Sequence, residues 1–201
     1  NSLFSFFFTL IGLGISQGIL NVIPSLIREK LKNVNNYLPR INLFVLITFL
    51  IFCVTTFFLK DIISLFFFDN KDFASTVVYL MLGSIFTVLA TIRMSFIQSY
   101  KLNNIIVKIK MLHAIFSTVA AVSLIYFFKY DGILISILIG SVIYYITALI
   151  LSHKTLKYDV IVYKDIVHLI NDKNLKLIFN VGITLLLGQF VGQIISNYGN
   201  L

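Results

Sequence analysis

Six stretches without an aspartate, glutamate, lysine or arginine dominate the chain: Leu3 to Ile27, Ile41 to Leu59, Phe73 to Ile92, Met111 to Phe128, Gly132 to Ser152 and Leu177 to Leu201. Each is at least 18 residues long, and about 20 helical residues cross a hydrocarbon core roughly 30 Å thick. One or two such runs fit buried helices of a soluble domain. Six in succession require a polar shell to cover them, and only 12% of the residues are charged while 59% are hydrophobic. Ten-residue alternating segments of a membrane barrel are absent. The expected fold is all-α, a polytopic transmembrane helical bundle of six spans, because lipid leaves backbone groups no partner outside a helix or a closed barrel. We call the runs spans A to F.

A net charge of +8 would suit nucleic acid if the cations formed one face. They are instead divided among the connections. Arg28, Lys30, Lys32 and Arg40 follow span A; Arg93, Lys101, Lys108 and Lys110 follow span C; Lys154, Lys157, Lys164, Lys173 and Lys176 follow span E. The other two connections hold only Lys60, Lys71 and Lys129. Thirteen cations against three place the first set in the cytoplasm by the positive-inside rule, with Asn1 outside and span A running inward. No nucleic-acid partner is expected. Cys53, alone in span B, reads as a small apolar packing residue. No signal peptide is recognisable, and both ends look cut, so a fragment of a longer protein is expected.

Span A continues through Pro24 toward Arg28, which predicts a tilted or kinked helix, and Asn33 to Pro39 is the expected turn. Span C is expected to run past Arg93 through Gln98 and Tyr100. Tyr130-Asp131-Gly132 leaves room only for a tight turn, so spans D and E form a hairpin. The connection from His153 to Lys176 carries five lysines, three aspartates and apolar residues at helical spacing. It fits a surface helix facing anionic head groups and a plain solvated linker equally.

No span contains an aspartate or glutamate, so no buried carboxylate is offered for acid and base chemistry. His113, His153 and His168 have no second ligand at helical spacing. No catalytic residue, metal or cofactor is expected, and the protein does not read as an enzyme. Two polar stripes are more informative. Gly14, Gln17, Gly18 and Asn21 share one face of span A. Gln189, Gln193, Ser196, Asn197 and Asn200 share one face of span F, beside Gly188 and Gly192. Two readings stand: close helix packing through the glycines with amides bonding across, or a path for a polar solute lined by Gln17, Asn21, Gln189 and Gln193. Arg93 has a similar pair of readings, a guanidinium facing a phosphate-bearing head group or one that snorkels to the interface.

The glycine-rich segment LIGLGISQGILNVIPSLIREK, the segment KDIISLFFFDN, the stretch FIQSYKLNNIIVKIKMLHAIFSTVAAVSLIYFFKYDGI and the restart LKLIFNVGITLLLGQFVGQIIS together resemble bacterial polysaccharide repeat-unit flippases. These belong to the multidrug, oligosaccharidyl-lipid and polysaccharide exporter superfamily. The resemblance implies two six-helix lobes around a cavity. It implies alternating access that moves undecaprenyl-pyrophosphate-linked oligosaccharide, as in O-antigen assembly, from the cytoplasmic to the outer leaflet. Residues 1–152 would then be five helices of the N-terminal lobe, 153–176 the cytoplasmic inter-lobe linker and 177–201 the first helix of the C-terminal lobe. Implied partners are the lipid-linked oligosaccharide, membrane lipid and other polysaccharide-assembly membrane proteins. The implied location is the bacterial inner membrane. A multidrug exporter of the same superfamily and a membrane enzyme of polysaccharide assembly are the alternatives.

Overall fold

The computed structural model describes residues 2–31, 34–153, 155–156 and 172–198, the side chains of Ser2 and of 189–198 excepted. The described residues are all-helical and contain no strand. Six α-helices follow one another: α1 (Ser2–Gly12), α2 (Ile15–Arg28), α3 (Tyr37–Phe68), α4 (Ala74–Ser99), α5 (Asn103–His153) and α6 (Lys173–Tyr198). Among the described residues three helices are long and apolar enough to cross a membrane, or four when α1 and α2 count as one bent span.

α4 is the centre. It packs on α1, α2, α3 and α5, and half of its most apolar stretch is buried, against 17% for α3 and 28% for α5. Ile85, Val88, Ile92 and Phe96 of α4 meet a core completed by Ile11, Ile15, Ile19 and Ile23 and by Leu38, Ile41 and Val45. The outward faces are apolar too: Phe58 is 78%, Phe66 81% and Phe127 74% exposed. Water would penalise such a surface heavily, whereas lipid covers it without cost. These long apolar helices are consistent with a membrane protein.

Span A is broken between α1 and α2, which diverge by 42°. The break is at Leu13 and Gly14, both with positive φ, and not at Pro24, around which α2 continues to Arg28. The expected turn at Asn33 to Pro39 is also shorter. A 3-10 turn at Val34–Asn36 leads directly into α3, and Pro39 stands in the first helical turn, where its missing N–H costs nothing. α3 does not stop at Leu59. It runs on past Lys60 and Asp61 until Asp69 adopts a left-handed conformation and its N–H caps the Leu65 carbonyl. Its 32 residues span about 48 Å.

α4 continues past Arg93 to Ser99, as its sequence indicates. α5 folds back on itself at Lys129, where φ is 51° and ψ −121°, so the reversal comes one residue before Tyr130. Spans D and E are its two arms. Close approach is visible at Gly132, where a Cβ would strike the Leu124 carbonyl, and at Gly140, which faces Ser117. Deeper in the hairpin the His113 and Tyr144 rings lie 4.6 Å apart.

Helix ends gather in two sets. Phe6 meets Phe67, Phe68 meets Phe73 and Phe73 meets Tyr130, which joins the start of α1, the end of α3, the start of α4 and the α5 reversal. The opposite, basic end is tied by polar contacts. Tyr100 donates to Asn35 at 2.8 Å, and burial raises its pKa, keeping the phenol protonated as the donor. Asn174 donates to the Tyr37 hydroxyl at 2.9 Å, and Arg40 pairs with Asp172 at 3.3 Å. Most of the connection 153–176 lies outside the described residues.

Candidate functional site

The helix break creates the candidate site. A helix leaves its first amide groups without internal acceptors, and the first helical bonds of α2 are those that Gln17 and Gly18 donate to the Gly14 carbonyl. The amides of Gly14, Ile15 and Ser16 come before them. Gly14 meets two demands. Its φ is +67°, and any Cβ would strike the Gly182 carbonyl of α6. Gly18, one turn on, lies against the Ile178 carbonyl in the same way, and Gly182 in turn lies against Gly14. Backbone therefore packs on backbone where α6 crosses the break.

Beside this crossing is a cavity of about 330 Å³. α1 supplies Phe8, Thr9 and Gly12; the break and α2 supply Gly14, Ile15, Ser16, Gln17 and Leu20; α6 supplies Leu186. α4 forms the remaining wall with Val88, Thr91, Met94, Ser95 and Gln98. From Val88 to Gln98 that wall extends about 15 Å along the helix. Val88 is buried and Gln98 exposed, so the wall runs from the packed middle of the bundle toward its basic end.

The hydroxyls on α4 form a ladder. Thr87 donates to the Gly83 carbonyl, Thr91 to Thr87, Ser95 to Thr91 and Ser99 to Ser95, at 2.8–3.3 Å. Each donor is satisfied within its own helix, and the Thr91 hydroxyl also meets the Tyr144 side chain of α5, which leaves the Ser95 oxygen as the ladder acceptor on the cavity wall. Pro24 supplies no N–H to the Leu20 carbonyl, which adds a backbone acceptor on α2. Gln17 contributes an anomaly: its Oε1 is shut off from solvent and has no donor among the described residues. A buried acceptor left unpaired costs about 1–3 kcal/mol.

The structure separates the residues singled out from sequence. Gln17 lines the cavity. Asn21 does not; it is exposed, and its Nδ2 donates to the Gln17 carbonyl at 2.8 Å. Arg93 is two positions beyond Thr91 and so on the far side of α4. It is 3% exposed, held by Ser152 Oγ at 3.0 Å and lying 5.9 Å from the Tyr145 ring. It is thus enclosed between α4 and the second arm of α5. Gly14 and Gly18 are at the α6 contact, but Gly188 has nothing within 4 Å of a Cβ position. Gln189, Gly192 and Gln193 belong to α6, and their surroundings lie outside the described residues.

Sequence reasoning passed over Gly182 and the α4 hydroxyls. Thr87, Thr91, Ser95 and Ser99 recur every fourth residue, as regular a stripe as the one in span A. Among the described residues no three histidine, cysteine, aspartate or glutamate side chains come together as metal ligands. No family model, curated protein or solved structure matches the chain.

Proposed function

We propose that the chain is part of an exporter that carries a lipid-linked oligosaccharide across a bacterial inner membrane. The observation that carries this reading is the cavity of about 330 Å³, walled by hydroxyls, amides and a broken helix among helices whose outer faces suit lipid. A packing bundle gains nothing from polar groups around a void, whereas a transporter needs them to replace water around its cargo. In transporters, broken helices commonly mark the binding position.

On this reading the basic end faces the cytoplasm, and the Gln98 side of the cavity takes cargo from there. Residues 1–152 form five helices of one lobe, 153–176 the linker, and α6 begins the second lobe of a twelve-helix, two-lobed protein. Rocking of the lobes would expose the cavity to either side in turn. Lipid and other polysaccharide-assembly proteins are its partners. The apolar share of the lining, Phe8, Val88, Met94 and Leu186, favours one second reading, export of amphipathic drugs.

The test replaces Gln17 and Gln189 with leucine in the complete protein and measures surface polysaccharide together with membrane insertion. Insertion should persist and polysaccharide fall. Unchanged export would remove both glutamines from the path. Expression in a strain lacking its own flippase separates the readings, since a drug exporter would restore resistance and no polysaccharide.

A further inference from the structure

The cavity lining has a property that narrows its ligand: among the described residues, none of the side chains on it is charged. The nearest intramembrane cation in sequence, Arg93, is turned to the opposite side of α4 and engaged with Ser152. An anion brought into such a place would lose its hydration without gaining a countercharge, a penalty of several kcal/mol. A cation would find no carboxylate. Neutral hydroxyls, by contrast, both donate and accept, and both roles are available. The Ser95 oxygen can accept, since its own proton is used inside α4, and the hydroxyls of Thr9 and Ser16 and the side-chain amide of Gln98 on the same lining supply both roles. Apolar surface from Phe8, Val88 and Met94 adjoins them.

We propose that this cavity is a subsite for one uncharged sugar ring, and that the pyrophosphate of a lipid-linked cargo is held elsewhere. A pyranose has the matching division, with C–H faces for the apolar wall and a rim of hydroxyls for the polar one. The volume of about 330 Å³ is at the small end of ligand pockets, which run about 300–1,000 Å³, and so suits a ring and not a whole repeat unit. The proposal rests on the transport reading but narrows it to one class of contact.

The absence of tryptophan from the chain supplies the test. Leu20→Trp on the cavity wall and, separately, Gln98→Trp at its exposed mouth each create a single fluorophore in the full chain reconstituted in lipid nanodiscs. Methyl α-glucopyranoside, inorganic pyrophosphate and tetraphenylphosphonium are titrated in turn. The glucoside should give a saturable emission change with half-saturation on the order of millimolar, weakened about tenfold by Gln17→Leu, and pyrophosphate should give none. A pyrophosphate response as strong as the glucoside response overturns the uncharged subsite. A response to tetraphenylphosphonium alone overturns the sugar assignment, and silence of both reporters toward glucoside overturns the subsite altogether. Export measured in cells keeps the two ideas apart: if Gln17→Leu abolishes export while the reporters stay silent, transport stands and the sugar subsite falls.

Discussion

Gly14 and Gly182 touch backbone to backbone, the first at the break in span A and the second in α6, so that a side chain on either would enter the other's main chain. Close approach of this kind replaces the hydrophobic drive that lipid removes from helix association. It also fixes the wall of the cavity, because Gly14 and Leu186 both line it.

Substitutions at the glycines should therefore differ sharply. Gly14→Ala and Gly18→Ala force α2 and α6 apart and should each cost about 1–3 kcal/mol. Gly188→Ala meets nothing and should be neutral. Thermal unfolding in detergent checks this, with a shift of about 2–4 °C per kcal/mol expected for a chain of this size. Equal behaviour of Gly14→Ala and Gly188→Ala would count against the contact.

Leu13 has φ of 42°, a conformation that costs a residue with a Cβ about 1–2 kcal/mol. Glycine adopts it freely. Leu13→Gly should accordingly be less damaging than Leu10→Gly by at least about 1 kcal/mol, although both leucines are half-buried. Chemical denaturation of the two variants side by side gives the comparison, and a reversed order would argue against a break at this residue.

Asp172 has two tasks. Its Oδ1 accepts from the Asn174 amide at 2.9 Å at the start of α6, and its Oδ2 faces Arg40 at 3.3 Å. Asparagine retains a capping oxygen but not the charge, and alanine retains neither. Asp172→Asn should lose at most about 1 kcal/mol, the worth of a partly exposed ion pair. Asp172→Ala should lose about 1 kcal/mol more with the cap. Identical unfolding midpoints for the two variants would show that the cap contributes nothing.

Arg93 and Ser152 join α4 to the second arm of α5 through a bond at 3.0 Å. Ser152→Ala withdraws an acceptor from a buried guanidinium and should cost about 1.5–3 kcal/mol. Arg93→Met removes that bond together with every other contact of the guanidinium and should cost more than Ser152→Ala. The decisive measurement is the order of the two melting temperatures, with Arg93→Met expected below Ser152→Ala.

Helix placement was largely legible because charge-free length is a direct signature of helices in lipid. Helix continuity was not. Pro24 is the usual suspect for a kink, yet α2 continues through it, and the chain breaks at Leu13 and Gly14 because α6 packs against that point from far along the sequence. A contact of such range leaves no local trace beyond the glycine itself. For the same reason the polar stripe of span A divides in three dimensions: Gln17 turns to the cavity, while Asn21 is exposed and bonds back to its own helix. The α4 hydroxyls were readable by spacing, but serine and threonine are common enough in membrane helices to pass as packing residues.

The break also bears on how the chain is made. With 11 and 14 residues, α1 and α2 reach about 17 and 21 Å, so neither alone crosses a hydrocarbon core of roughly 30 Å. In a bilayer the two would cross only as one continuous segment. The helix that packs against their junction emerges roughly 170 residues later, which at about 5–20 residues per second is on the order of ten seconds or more. During that interval the first segment waits without its final neighbour, and the last described helix to be made is the one that completes the first.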